Sequence, residues 1–189
     1  VATAFEMQWQ LVETTSRPRF LLMVSKFGHC LNDLLYRWST GQLKIDIPLV
    51  VSNHRDFENL VRSFGIEFVH LPVTADTKVD AEQRLLDLVS EYDIDTVVLA
   101  RYMQVLSDQL CTKMEGRVIN IHHSFLPGFK GAKPYHRAAE RGVKLVGATA
   151  HYVTADLDEG PIIEQAVIRV DHGQTVDDLI VAGRDAECQ

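Results

Sequence analysis

Three side chains in this 189-residue sequence could together perform chemistry at an acyl group: Asn120, His122 and Asp158. Asn120 and His122 stand two apart in a short apolar run, and on an extended strand that spacing puts both on one face. Asp158 belongs to the distant turn Ala155-Asp156-Leu157-Asp158-Glu159-Gly160, so only the fold can bring it to them. An amide donor and an imidazolium can stabilise an oxyanion, while a carboxylate holds the imidazole's charge or positions a water. Taken singly, each has a plainer reading: Asn as a turn or edge residue, Asp as turn chemistry ahead of Glu-Gly-Pro. No covalent nucleophile is required. Ser124 lacks a Gly-x-Ser-x-Gly elbow, and Cys30 lacks an obvious base. Adjacent strand residues diverge, so His123 is expected to face away from His122 in a supporting role. The same divergence, with no accompanying Cys or carboxylate ligands, argues against zinc on His122, His123 and His136, and no metal is expected.

A scaffold must hold these groups, and its rhythm is readable from residue 20 onward. Short apolar runs at 20–24, 47–52, 67–71, 96–100 and 118–121 read as strands, the first buried on both faces. Helical patterns fall between them at 29–40, 56–64 and 80–92, with a short helix capped by Ser107. Such βα repetition predicts an α/β fold, a Rossmann-like doubly wound, mostly parallel sheet. Ligands in such sheets sit beyond the carboxyl ends of the strands. Those ends carry Ser25-Lys26-Phe27-Gly28, Ser52-Asn53-His54, Arg101-Tyr102-Met103 and His122-His123-Ser124. After a helix at 134–142, two alternating runs at 146–154 and 162–170 predict a C-terminal antiparallel hairpin. A last helix opens on Thr175-Val176-Asp177-Asp178, a capping box with Asp at its final position.

Composition narrows the partners. Hydrophobic residues make up 46% of the chain and charged ones 24%, enough for a sizeable core. The formal charge is −7 with scattered Lys and Arg, which weighs against nucleic acid or an anionic membrane as partner. An anionic small substrate held by a local cation stays open. Three widely spaced cysteines, an odd number without a CxxC pair, predict no disulfide framework and a reducing, cytoplasmic setting. No run has membrane-spanning length, and no signal segment opens the sequence.

The ends look like fragments. Residues 1–13 combine helical composition with a strand-like alternation and start without methionine, as if cut inside an earlier domain; 14–18 reads as a linker. The final helix runs into Cys188 and Gln189 without a terminator, so truncation is expected there too.

Two motifs now carry a resemblance. Ile119-Asn120-Ile121-His122-His123-Ser124-Phe125-Leu126-Pro127 and His151-Tyr152-Val153-Thr154-Ala155-Asp156-Leu157-Asp158-Glu159-Gly160-Pro161-Ile162-Ile163 resemble the folate-dependent formyltransferase family, in the same order and spacing. The resemblance runs from about Phe20 to the end. It is nearest the branch that hydrolyses 10-formyltetrahydrofolate, through Met23-Val24-Ser25-Lys26-Phe27-Gly28, Pro72-Val73-Thr74-Ala75-Asp76, Leu99-Ala100-Arg101-Tyr102-Met103-Gln104 and Gly131-Ala132-Lys133-Pro134-Tyr135-His136.

The resemblance implies release of formate and tetrahydrofolate, in the service of purine biosynthesis and of balance in the one-carbon folate pool. Asn120 and His122 would then stabilise the tetrahedral oxyanion, and Asp158 would orient or deprotonate the water. The folate would lie against Arg101, Tyr102, Met103, Val105 and Leu106 and against the loop from Val153 to Asp158, above all Val153, Thr154 and Ala155, although core packing is the plainer role of Met103, Val105 and Leu106. No cofactor beyond that substrate is implied. The runner-up is a phosphoribosylglycinamide formyltransferase, but those enzymes carry a short Gly-Ser loop where this chain has Lys26-Phe27-Gly28-His29. Lys26 and His29 could still draw an anion. The methionyl-tRNA branch would need a basic face and an added C-terminal domain. A folate-binding protein without turnover is the reading from another class. The resemblance also implies that 1–18 is the remnant of an N-terminal regulatory domain of the small amino-acid-binding (ACT) type plus linker and that 19–189 is catalytic; a homo-oligomer is expected.

Overall fold

The computed structural model describes residues 16–128 and 134–189. The proposed regulatory remnant therefore lies almost wholly outside the described residues, as do Gly131, Ala132 and Lys133. The order is β1 (Arg19–Val24), α1 (His29–Ser39), β2 (Asp46–Ser52), α2 (Glu58–Ser63), β3 (Glu67–His70), α3 (Lys78–Glu91), β4 (Thr96–Leu99) and α4 (Asp108–Lys113). It continues with β5 (Val118–His122), α5 (Pro134–Glu140), β6 (Leu145–Tyr152), β7 (Ile162–Arg169) and α6 (Val176–Glu187). One seven-stranded sheet runs β3-β2-β1-β4-β5-β6-β7, parallel through β5 and antiparallel over β6 and β7.

Period-two alternation builds both cores. Leu21 and Met23 of β1 pack with Leu49, Val51, Val97 and Leu99 under Leu85 and Leu88 of α3. Leu22 and Val24 point the other way, against Leu31 and Leu35 of α1 and Val61 of α2. A β-strand buried on both faces needs such an unbroken apolar run. A third cluster joins Tyr135 and Ala138 of α5 and Leu179 of α6 to Val146 of β6. The Thr175 capping box forms with Asp178 serving in the place of Glu: its Oδ2 accepts from Thr175 N at 2.8 Å.

Two boundaries differ from expectation in ways that matter. β5 runs one residue further, to His122, and β6 stops at Tyr152 instead of continuing to residue 154. The last bonds at this end of β6 are Tyr152 N to Pro161 O, on the β7 side, and Val153 N to Val118 O, on the β5 side. That releases 153–161 as a loop over the end of β5.

Candidate active site

Chain order reverses at β1, which pairs with β2 on one side and β4 on the other. At such a switch point the loops splay apart and leave a crevice. Ser25, just past β1, ties the two loops together. Its N–H donates to Arg101 O at 3.1 Å, its hydroxyl donates to Asn53 Oδ1 at 2.7 Å, and it accepts from Met103 N at 2.9 Å.

Beside this crevice β5 ends, presenting Asn120 and His122. The β5–β6 register sets Asn120 opposite His151, and Nδ2 of the amide lies 3.2 Å from His151 Nε2. The other ring nitrogen, Nδ1, is 2.9 Å from Tyr152 O. A carbonyl can only accept, so Nδ1 carries the proton and Nε2 accepts from the Asn120 amide. That turns the amide nitrogen of Asn120 toward the cleft side and leaves its second N–H for a ligand. His151 arrives there through a register shift between Ala150 and His151 in the β6–β7 ladder, a bulge that re-aims a side chain.

Asp158 comes from the 153–161 loop, in the left-handed region at φ 59°. Gly160 lets the loop close tightly: a Cβ there would stand 1.7 Å from Tyr152 O. The loop delivers Asp158 Oδ1 to 3.2 Å from His122 Nδ1 and 3.9 Å from His151 Nε2. Both His122 and Asp158 are buried, their side chains 5% and 7% exposed. Burial pushes His122 below its ordinary pKa; Asp158 opposes this, but His151 and Arg101 add to it, and the net direction is down. At neutral pH His122 is thus a neutral imidazole whose Nδ1–H donates to the Asp158 carboxylate. Its Nε2 carries a lone pair, and among the described residues it is buried without a hydrogen-bond partner.

His123 corrects an expectation. Because β5 ends at His122, strand alternation no longer governs the next residue, and the two rings lie 5.2 Å apart instead of facing opposite ways. Burial, then the charge of Arg101, depress His123 to about 4.

The trio forms one end of a cleft of about 330 Å³. Of the eight positions expected to hold folate, Arg101, Tyr102, Met103, Val105, Leu106, Val153 and Thr154 line it, whereas Ala155 is exposed and does not. Met103 and Val105 are 51% and 58% exposed, so they are not core residues, while Leu106 and Val153 also pack on the core. Tyr102 is buried within that core, and its hydroxyl is pushed up to about 12 by burial and then Glu82. The guanidinium of Arg101 reaches Glu187 of α6, with Nε 3.4 Å from Oε2, and lies 5.5 Å over the Phe27 ring.

Sequence reasoning passed over His151 and Glu187. Leu157, 60% exposed on the loop, adds an apolar wall to the cleft. Glu187 offered one signal: an acid in the last turn of a helix opposes the helix dipole, and so calls for a partner. It has three: His29 at 2.7 Å, the Tyr135 hydroxyl, which donates to Oε1 at 3.3 Å, and Arg101. Burial alone would raise Glu187, but His29 and then Arg101 bring it below the ordinary carboxylate range. His29, Cys30 and Glu187 place ligand atoms within 4.8 Å of one another. Arg101 already shares that carboxylate, and burial drives the Cys30 thiol far up, so the donor set suits a cation poorly. Cys30, Cys111 and Cys188 are all free, and no described helix is long and apolar enough to cross a membrane.

With this geometry in hand, likeness to known proteins is informative. A family model described as "Formyl transferase" matches residues 18–189. A formyltetrahydrofolate deformylase of Corynebacterium sp. (strain P-1) is 58% identical over 189 residues, covering 100% of this chain and 66% of that protein. The crystal structure of a formyltetrahydrofolate deformylase from Burkholderia mallei superposes with a TM-score of 0.93 at 57% identity, over 99% of this chain and 66% of that one. Glycinamide ribonucleotide transformylase 1 from Symbiobacterium toebii gives a TM-score of 0.86 at 32% identity, covering 95% of this chain and 86% of that one. The chain thus spans 66% of the length of the two deformylases. A match to all but the first residues of the sequence, on an α/β sheet shared with these proteins, shows that the chain belongs to the formyl transferase family.

Proposed function

We propose that this chain carries the catalytic site of a formyltetrahydrofolate deformylase, which hydrolyses 10-formyltetrahydrofolate to formate and tetrahydrofolate. The observation that carries the reading is the buried His122–Asp158 pair, 3.2 Å apart beside the Asn120 amide, at the end of a mainly apolar cleft. The names of the relatives at 57–58% identity support it. Met103, Val105 and Leu157 would pack the flat pterin, and backbone groups of 101–106 would bond its edges.

In the proposed reaction a water oxygen attacks the formyl carbon while one of its protons passes to Nε2 of His122. The His122–Asp158 pair acts as one base, because the imidazolium it forms is stabilised by the carboxylate it faces. This shifts His122 from the purely electrostatic role that the sequence resemblance implies. The formyl oxygen becomes an oxyanion and accepts from the second N–H of Asn120. The carbon–N10 bond then breaks, N10 takes the proton from the imidazolium, and formic acid leaves and ionises. These residues suffice for each step.

The proposal extends to a cytoplasmic setting, in keeping with three free cysteines, and to a role in purine and one-carbon metabolism. Residues 1–18 are proposed as the remnant of an ACT-type domain and linker. A homo-oligomer is proposed too, supported by Ile162, Ile163 and Val167 exposed on edge strand β7; light scattering in solution checks it. The functional test is release of tetrahydrofolate from 10-formyltetrahydrofolate with and without glycinamide ribonucleotide. Release without the amine is expected; turnover only in its presence would hand the site to the transformylase reaction, and binding without turnover to a folate-binding role.

A further inference from the structure

Behind the trio lies a second cavity, of about 230 Å³, between the loop after β1 and α6. Phe27, Tyr135, His136, Ile180, Arg184 and the Glu187 carboxylate line it, and Arg101 and His123 line both this cavity and the folate cleft. Arg101 is thus a wall common to the two. Its backbone is in the left-handed region at φ 65°, where a side chain larger than glycine is disfavoured.

The guanidinium is held in place but left short of acceptors. Glu187 Oε2 lies 3.4 Å from Nε, near enough for attraction yet not aligned as a hydrogen bond, and that oxygen is already engaged by His29 at 2.7 Å. Phe27 stacks at 5.5 Å from Cζ and offers no lone pair. Among the described residues Arg101 Nε and Nη1 are buried without a hydrogen-bond partner, as is His122 Nε2 nearby. Buried guanidinium N–H groups are matched by an oxygen carrying negative charge, and a planar carboxylate fits their fork.

We infer that Arg101 receives the carboxylate of formate as it forms, and that this small anion leaves through the second cavity while the pterin leaves by the cleft. The inference rests on the hydrolase reading, which supplies the only small anion the site would generate. Cleavage happens beside His122, and the product ionises next to a fixed positive charge. Arg184 also lines the cavity, its Cζ 5.8 Å from the centroid of the Phe27 ring, so two guanidinium groups stand in its wall against the one carboxylate of Glu187.

The test uses sodium formate as the probe, with sodium chloride as the control for general anion effects. Formate binding to the full chain is followed by saturation-transfer NMR, which needs no turnover, alongside tetrahydrofolate affinity. Arg101→Gln is expected to weaken formate binding ~10-fold or more and to weaken tetrahydrofolate binding by less, because Arg101 is one of several residues of the folate wall. Formate affinity unchanged by the substitution, or an equal loss of both ligands, would overturn the inference. Should that variant not fold, the Nε–H signals of the wild-type arginines serve: a formate-dependent shift of a buried one is expected, and no shift on any would overturn it. Hydrolysis without formate binding at Arg101 defeats this inference alone, whereas absence of hydrolysis defeats the reading beneath it.

Discussion

The Asn120 amide meets the ring of His151 across the antiparallel β5–β6 pair, Nδ2 to Nε2 at 3.2 Å, and this contact decides which way the amide points. Losing it frees the amide to rotate and present its oxygen to the oxyanion. His151→Ala is expected to lower kcat ~10-fold, with KM changed less than about twofold, because the lost interaction belongs to the transition state. His151→Gln, whose amide oxygen can accept the same N–H, should recover part of the rate. Asn120→Ala removes the donor outright and should cost ~10²–10³ in kcat. A KM effect from His151→Ala as large as its kcat effect would contradict the assignment.

Asp158→Asn tests the paired base. Asn tolerates the left-handed backbone at φ 59°, so the loop should survive. The amide cannot stabilise an imidazolium, and kcat should drop by ~10²–10⁴ with tetrahydrofolate affinity kept. Urea unfolding midpoints equal to wild type would show that the loss is catalytic.

The pH profile follows from the sign of the His122 shift. Burial holds His122 below its ordinary pKa, so its neutral, proton-accepting form persists to lower pH than a free histidine allows. The rate should be flat through neutrality and fall only below about pH 6.5, the unperturbed value. In Asp158→Asn the opposing carboxylate is gone, and the acid limb of the residual activity should move lower still. A limb above the ordinary histidine value in the wild type would contradict the neutral resting state.

Much of this site was legible before any coordinates. The unbroken apolar run ending at Val24 marked β1 as a strand buried on both faces, and the two-residue spacing of Asn120 and His122 put them on one face because both lie on a strand. What escaped depended on where elements stop and what meets them from far away. His123 was expected to face away, but alternation holds only inside a strand, and β5 ends one residue earlier. His151 looked like one more alternating residue of a hairpin, since a bulge is a property of pairing with β7 and leaves little local trace. Arg101 read as part of the folate wall; its partner Glu187 sits at the end of the last helix, beyond the reach of any local pattern.

His123 should also mark acid stability. Its folded-state value of about 4 lies below its ordinary 6.5, so the unfolded chain binds a proton that the folded chain resists. The stability is fully present above pH 6.5 and is lost as pH falls toward 4. The loss amounts to on the order of 2–3 kcal/mol. Urea titrations across this interval should show a shallower decline for His123→Gln than for the wild type; parallel declines would assign the acid sensitivity elsewhere.

Gly160→Ala tests the loop closure. The added Cβ would fall 1.7 Å from a backbone oxygen, Tyr152 O, which cannot be relieved by a side-chain rotation. The loop must shift, and Asp158 with it, so activity should fall by at least ~10². Tetrahydrofolate affinity should fall too, because Val153, Thr154 and Leu157 ride on the same loop.

The most direct test of the central claim is a single turnover in ¹⁸O-labelled water. If the His122–Asp158 pair activates water against the formyl carbon, wild-type protein without any amine should release formate bearing one ¹⁸O together with tetrahydrofolate, and Asp158→Asn should release neither on that timescale. Unlabelled formate, or tetrahydrofolate released only when an amine is supplied, would contradict it.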